Sequence, residues 1–336
     1  MGIDLPLIWA IIIIFGIMMY VVMDGFDLGI GILFPFIKGE SDRDVMMNTV
    51  APVWDGNETW LVLGGAALFG AFPLAYSVVL SALYLPLMFM LIGLIFRGVA
   101  FEFRFKATPA HRPFWDKAFI GGSILATFTQ GITVGAVING FSVTERAYSG
   151  GPFDWLTPFN LFCGAGLVAA YALLGATWLV MKSENTLQQR MRRVSKMLLI
   201  VLLAFIAVIS LWTPLAQPAI AARWFTLPNL FFLLPVPALV VTLSLCQWRS
   251  LNNPDSHNLP FILTLGLIFL GFSGLGISIW PHIIPPSITL WQAAAPVQSQ
   301  GFMLVGALLI IPVILVYTFW SYYVFRGKVQ HGEGYH

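Results

Sequence analysis

The chain has 336 residues, of which 58% are hydrophobic and only 10% are charged, and its formal net charge is +2. A water-soluble domain carries about 25% charged residues, so a mean hydropathy of +0.85 excludes a water-facing globule and makes lipid the main solvent. The small net charge gives no ground for a nucleic-acid partner.

A spanning helix needs about 20 mostly apolar residues. Apolar runs and their polar punctuation predict nine transmembrane helices, near 7–34, 53–71, 75–101, 115–139, 158–182, 196–213, 229–248, 260–280 and 302–325. The chain is thus expected to be an all-α integral membrane protein, with residues 1–336 forming a single polytopic domain. Met1-Gly2-Ile3-Asp4-Leu5 lacks the basic stretch of a cleaved leader, so the first run is expected to be a retained helix. Connections are expected near 38–50, 102–114, 183–195 and 249–259. The stretch 281–300, with Pro281, Pro285, Pro286 and Trp291 but no Lys or Arg, is expected to lie along the membrane surface.

Basic residues test this division. With nine spans, Arg146 and Arg223 fall on one side and every other Lys and Arg on the opposite side. Because basic residues are retained in the cytoplasm, the N-terminus is expected to be periplasmic and the C-terminus cytoplasmic. Trp54, Trp60, Trp155, Trp212, Trp224, Trp248, Trp280 and Trp320 lie near predicted helix ends, where an interfacial aromatic belt would place them.

Of 15 acidic residues, most fall in connections. Asp24 and Asp27 lie inside the first apolar run at i, i+3 spacing, which puts both on one helix face. Gly25 and Gly29 form a small-xxx-small step that lets another backbone approach closely. Asp55 and Glu58 open the second span at the same spacing, where a helix N-terminus favours negative charge. All four acids therefore belong to the inner half of one helix pair. A charged carboxylate at mid-bilayer costs about 2.5–3.5 kcal/mol on insertion scales, so these groups require a wet cavity, a cationic partner or a proton. A proton-uptake path through Asp24, Asp27, Asp55 and Glu58 and a network that merely locks the helices together are the two readings.

Other constellations are weaker. The five histidines, His111, His257, His282, His331 and His336, all fall outside span centres, so no axial histidine for a membrane-embedded haem is offered. Cys163 and Cys246 have no partner at metal-ligand spacing and read as buried thiols; no metal site is expected. The twelve methionines read as packing. Glu102 and Lys106 are spaced as an interfacial ion pair. Arg97, ending the third span, is expected to snorkel to the inner interface rather than to neutralise an acid. Asn57-Glu58-Thr59 matches a glycosylation acceptor by chance.

The runs Asp24-Gly25-Phe26-Asp27-Leu28-Gly29-Ile30-Gly31 and Ala51-Pro52-Val53-Trp54-Asp55-Gly56-Asn57-Glu58-Thr59-Trp60, followed by Phe96-Arg97-Gly98-Val99-Ala100-Phe101-Glu102-Phe103-Arg104, resemble subunit II of cytochrome bd-type quinol oxidases. The chain looks closest to the short, cyanide-insensitive branch. The resemblance implies a heterodimer with a subunit I of similar nine-helix design. That partner carries the quinol site and the haems, two b-type and one d-type or b-type substitute. The pair oxidises quinol, reduces oxygen to water and generates a membrane potential, taking protons from the cytoplasm. The resemblance further implies a haem-free supporting subunit in the bacterial inner membrane. Asp24 and Asp55 would be its proton-path acids, Asp27 a companion, and Glu58 would stand where relatives often have an amide. A structural quinone near Trp54 and Trp60 and a small accessory subunit are the remaining expectations. An ion-coupled secondary transporter shares the intramembrane acids, although no pair of broken helices recurs in two halves. A purely structural assembly subunit is the other alternative.

Overall fold

The structure is a computed structural model and describes residues 3–330 and 332. The chain begins with α1 (Leu5–Leu33), a 3-10 turn over Phe34–Phe36, α2 (Glu40–Asn48), α3 (Trp54–Ala71), α4 (Pro73–Lys106) and α5 (Arg112–Asn139). A hairpin of β1 (Val143–Thr144) and β2 (Ala147–Tyr148) leads to α6 (Pro158–Lys182), α7 (Asn185–Ala216), α8 (Pro218–Phe225), α9 (Asn229–Leu233), α10 (Pro235–Asn252) and α11 (Leu259–Ile279). A second hairpin, β3 (His282–Ile284) and β4 (Ile288–Thr289), precedes α12 (Leu290–Ala293) and α13 (Val297–Val324).

Local chemistry explains many boundaries. Proline opens α4, α6, α8 and α10, where its missing N–H leaves no helical bond unmade. The Asp4 carboxylate accepts from Leu7 N and the Thr157 hydroxyl from Asn160 N, capping α1 and α6. Inside α4, Leu83 leaves helical geometry (φ −118, ψ 18) three residues before Pro86, which has no N–H to donate to the previous turn.

Among the described residues, eight helices are long and apolar enough to cross a membrane, and each coincides with an expected span. At the remaining expected span, 53–71, stands α3, an 18-residue helix that is not among those eight, because its opening Asp55, Asn57 and Glu58 dilute its apolar character. Two expectations are corrected, for residues 183–195 and for Cys246. Residues 183–195 are not a loop, because α7 starts at Asn185 and its Arg192 donates to the carbonyls of Asn253, Pro254 and Ser256. The stretch 281–300 packs on the bundle, with Ile284, Leu290 and Ala293 buried in a cluster with Phe72 and Val78. Cys163 is buried, but Cys246 is exposed on α10, which turns much of its apolar surface outward.

α1 and α6 form the centre. α1 packs on α3, α5, α6 and α13, and α6 packs on α5, α7 and α11. The two central helices touch through glycines. A Cβ at Gly29 would lie 1.9 Å from the Tyr171 carbonyl oxygen, and one at Gly175 would lie 2.5 Å from the Gly29 carbonyl carbon. Phe26 stacks on Trp178 at 4.1 Å, with Phe261 and Tyr322 edge-on. Such aromatic pairs add about 0.5–1.5 kcal/mol each beyond area burial.

α3 runs back along α1. Asn57 bonds the Met23 carbonyl near one end. At the other, the Gln300 side chain donates to Ala71 O while the Gln300 carbonyl accepts from Trp9. Arg43–Asp116 at 2.8 Å and the Arg112–Glu40 pair set α2 beside the start of α5.

Candidate functional site: a buried arginine among three carboxyls

Sequence spacing places Asp24 and Asp27 on one face of α1, and the close α1–α6 crossing buries that face. Both acids are 0% exposed, as is Arg97 of α4. α4 delivers this arginine because small residues let it approach α5: a Cβ at Gly122 would come 2.5 Å from Gly93 O and 2.8 Å from Arg97 N. Arg97 Nη1 lies 2.7 Å from Asp24 Oδ1 and 3.0 Å from Glu58 Oε1, and Nη2 lies 3.5 Å from Asp27 Oδ2. Glu58, with 26% of its side chain exposed, is the only one of the three carboxylates that reaches the surface. The expectation that Arg97 snorkels outward is therefore corrected. Asp24 and Asp27, one turn apart on α1, leave a buried negative charge that would be costly without a cation, and Arg97 answers it.

Neutral groups complete the cluster. Asn57 Nδ2 donates to Asp27 Oδ2 at 2.7 Å, and the Tyr322 hydroxyl donates to Asn57 Oδ1 at 2.8 Å. Tyr20 stands beside Asp24 and accepts from Gln130 Nε2 at 2.7 Å, while Tyr171 donates to Gln130 Oε1 at 3.2 Å. Asp27 Oδ1 and Arg97 Nε are buried with no hydrogen-bonding partner among the described protein groups.

Asp55 does not join this group. It is exposed, one helical turn before Glu58 but turned outward, so the four acids do not share one pocket. The two tryptophans also part. Trp54 stacks on Phe101 at 5.1 Å, whose ring lies under the Arg97 guanidinium at 5.6 Å. Trp60 is fully buried against Phe15, Tyr20 and Met23.

Arg97, Asn57, Tyr322, Tyr20 and Gln130 were not legible as site residues. The only signal was the cost of leaving Asp24 and Asp27 without a cation. A second buried arginine, Arg104, lies 2.5 Å from both Asp44 and Asp116. It was counted with the connecting segments, yet its side chain is fully buried and ties α4 to α2 and α5. Glu102 and Lys106 form the expected exposed pair at 3.3 Å.

The described histidines, His111, His257 and His282, lie outside the spanning helices; His331 and His336 lie outside the described residues. No cluster of three His, Cys, Asp or Glu suited to a metal occurs among the described residues. The cluster's donor set, a guanidinium and hydrogen-bonded carboxyls, does not fit an axial haem site.

Comparison with known proteins gives a consistent result. The family model described as "Cytochrome bd terminal oxidase subunit II" matches residues 5–325. The chain is 30% identical to the cytochrome bd-I ubiquinol oxidase subunit 2 of Escherichia coli K12, over 97% of this chain and 95% of that one. It is 28% identical to the cytochrome bd ubiquinol oxidase subunit 2 of Bacillus subtilis, over 97% of each. Its fold superposes on a chain of the bd oxidase from Geobacillus thermodenitrificans with a TM-score of 0.76 at 16% identity, covering 96% of this chain and 98% of that chain. Eight apolar helices and bacterial relatives make it a multi-pass protein of the bacterial inner membrane. The chain belongs to the cytochrome bd terminal oxidase subunit II family.

Proposed function

We propose that this chain is the haem-free subunit II of a bd-type quinol:oxygen oxidoreductase, paired with a haem-bearing subunit I, and that it supplies a proton-uptake route for oxygen reduction. The haems, b-type with a d-type or b-type third group, belong to the partner and supply the electron transfer and oxygen chemistry there. The work proposed for this chain is to hold and move protons.

One observation carries the route: three carboxyls face a single guanidinium in a fully buried site, with Glu58 alone reaching the surface. One positive charge cannot balance three ionised carboxyls away from water. Two protons shared among Glu58, Asp24 and Asp27 would make up the deficit, and coupled sites of this kind hold them as a group. Glu58 is the entry, Arg97 fixes the carboxyl positions, and Asp24 with Asp27 forms the inner station. The unpartnered Asp27 Oδ1 and Arg97 Nε are where relay water would bind. Asp55, exposed one turn earlier, serves as a collecting charge at the mouth. Trp54, half-buried on Phe101, is the residue proposed to meet a structural quinone.

The same proposal includes nine spans with the acidic cluster on the cytoplasmic side. α3, at about 1.5 Å per residue, extends about 27 Å along α1, close to the hydrocarbon thickness of about 30 Å. Its polar opening faces Asp27 and Arg97 rather than lipid.

Asp24→Asn in the assembled, haem-loaded complex tests the route. Oxygen uptake and membrane-potential generation are expected to fall by about tenfold or more, the loss usual for removing a positioned proton-transfer group, with haem spectra unchanged. Full turnover and full potential in that variant would leave only the scaffold role. A complex without haem bands or quinol-dependent oxygen uptake would defeat the oxidase assignment itself and revive the transporter reading.

A further inference from the structure

We infer that the groove between α8, α9 and α11, roofed by Arg223, binds an anionic phospholipid, its phosphate on the guanidinium and an acyl chain along the apolar wall. The groove measures about 670 Å³ and opens to the surface, with Arg223 and Asn229 at its polar end and Phe232, Ile277 and Trp280 along its side. On the expected nine-span division, this side of the membrane carries only Arg146 and Arg223 of the chain's basic residues.

Two features of Arg223 point to an anionic occupant. Its Nη1 donates to the Ile277 carbonyl at 3.0 Å, which pins the guanidinium over the groove instead of leaving it free to swing into water. No carboxylate pairs with it among the described residues. The remaining guanidinium hydrogens are thus free for a phosphate, which an arginine fork suits. Neighbouring Trp224 is committed elsewhere, donating to Ser278 Oγ at 2.9 Å, and so ties α8 to α11 and fixes the groove's width.

The apolar wall sets the second half of the ligand. Trp280 and Phe232 are exposed, and the floor at Gly276 is open: a Cβ there would meet no heavy atom within 4 Å. A free inorganic anion would satisfy Arg223 but leave this wall uncovered. A phospholipid satisfies both, since its charged head and apolar chain follow the same order as the lining. A zwitterionic headgroup would carry its own cation towards Arg223, so the charge favours an anionic one.

Gly276 also gives a test that leaves the charge untouched. Gly276→Leu fills the groove without a backbone clash, and Arg223→Gln removes the cation. The whole complex would be purified, stripped with detergent, and reconstituted into bilayers of phosphatidylglycerol or phosphatidylcholine, and bound lipid would be counted by native mass spectrometry. The unmodified complex is expected to retain phosphatidylglycerol through stripping. Arg223→Gln should retain it about fivefold less well, the scale of one arginine at an anionic surface, and Gly276→Leu should lose it as well. Quinol oxidation should be unchanged in both variants, because neither residue touches the acidic site. Equal phosphatidylglycerol retention by both variants would overturn the inference. So would retention of phosphatidylcholine by the unmodified complex equal to its retention of phosphatidylglycerol, or displacement of the lipid by inorganic phosphate.

Discussion

Arg97 is the residue on which the acidic site depends. Its guanidinium is the one cation facing Asp24 and Asp27, and leaving a buried charge unpaired costs about 3–5 kcal/mol. Arg97→Gln is expected to lower the thermal stability of the complex sharply. Adding Asp24→Asn and Asp27→Asn to that variant should restore much of the loss, because the two fully buried carboxyls are then neutral and only Glu58, which reaches the surface, remains to be solvated. Calorimetry or thermal melting of the purified complexes checks both outcomes. The exposed and buried acids separate on a different readout. Asp55→Asn should reduce turnover only modestly, and less so at high salt, because an exposed charge is screened within about 10 Å at 0.1 M. Glu58→Gln should reduce it at every ionic strength. A loss for Asp55→Asn as large and as salt-independent as that for Asp24→Asn would place Asp55 inside the route.

At the scale of elements, close helix crossings decide where these side chains meet. The Gly25/Gly29 step was legible as an approach point, and α6 is the helix that uses it. Gly29→Ala would drive a methyl into the Tyr171 carbonyl, 1.9 Å away, forcing backbone apart from backbone. Overpacking of this kind costs about 1–3 kcal/mol, so complex yield and melting temperature should fall. Gly121→Ala, where nothing lies within 4 Å, should leave both unchanged. α13 is held to the site by polar latches rather than glycines. Tyr322 bonds Asn57, and Lys182 donates to the carbonyls of Phe325 and Gly327 at 2.6 and 3.1 Å. The end of the last helix is therefore coupled to the first buried acids.

For the whole molecule, α3 decides the topology. If α3 spans, the 38–50 connection and the 107–111 connection face the same compartment, and the β1–β2 hairpin faces the opposite one. Single cysteines introduced as Lys38→Cys, Thr108→Cys and Glu145→Cys can be probed with an impermeant thiol reagent on spheroplasts. Glu145→Cys should label from outside, and the other two only after permeabilisation. Opposite labelling of the 38 and 108 positions would remove α3 from the spans. The ion pairs Arg43–Asp116 and Arg112–Glu40, which join α2 to the start of α5, agree with the same-side arrangement.

The sequence by itself determined that this chain lives in lipid, where its spans lie, and that two acids sit too deep to be ordinary surface charges. These features are local: apolar run length, spacing along one helix and composition are all read within a few turns. Tertiary structure alone decided which cation answers those acids, that Asp55 turns away, and that Trp60 is packed shut. Arg97 lies some seventy residues from Asp24 on another helix, and nothing in its own segment distinguishes a snorkelling arginine from an ion-paired one. Only the tertiary packing of α4, with its close contact to α5 at Gly93 and Gly122, brings Arg97 within 2.7 Å of Asp24 and 3.5 Å of Asp27, and a buried acid left without that cation would be costly.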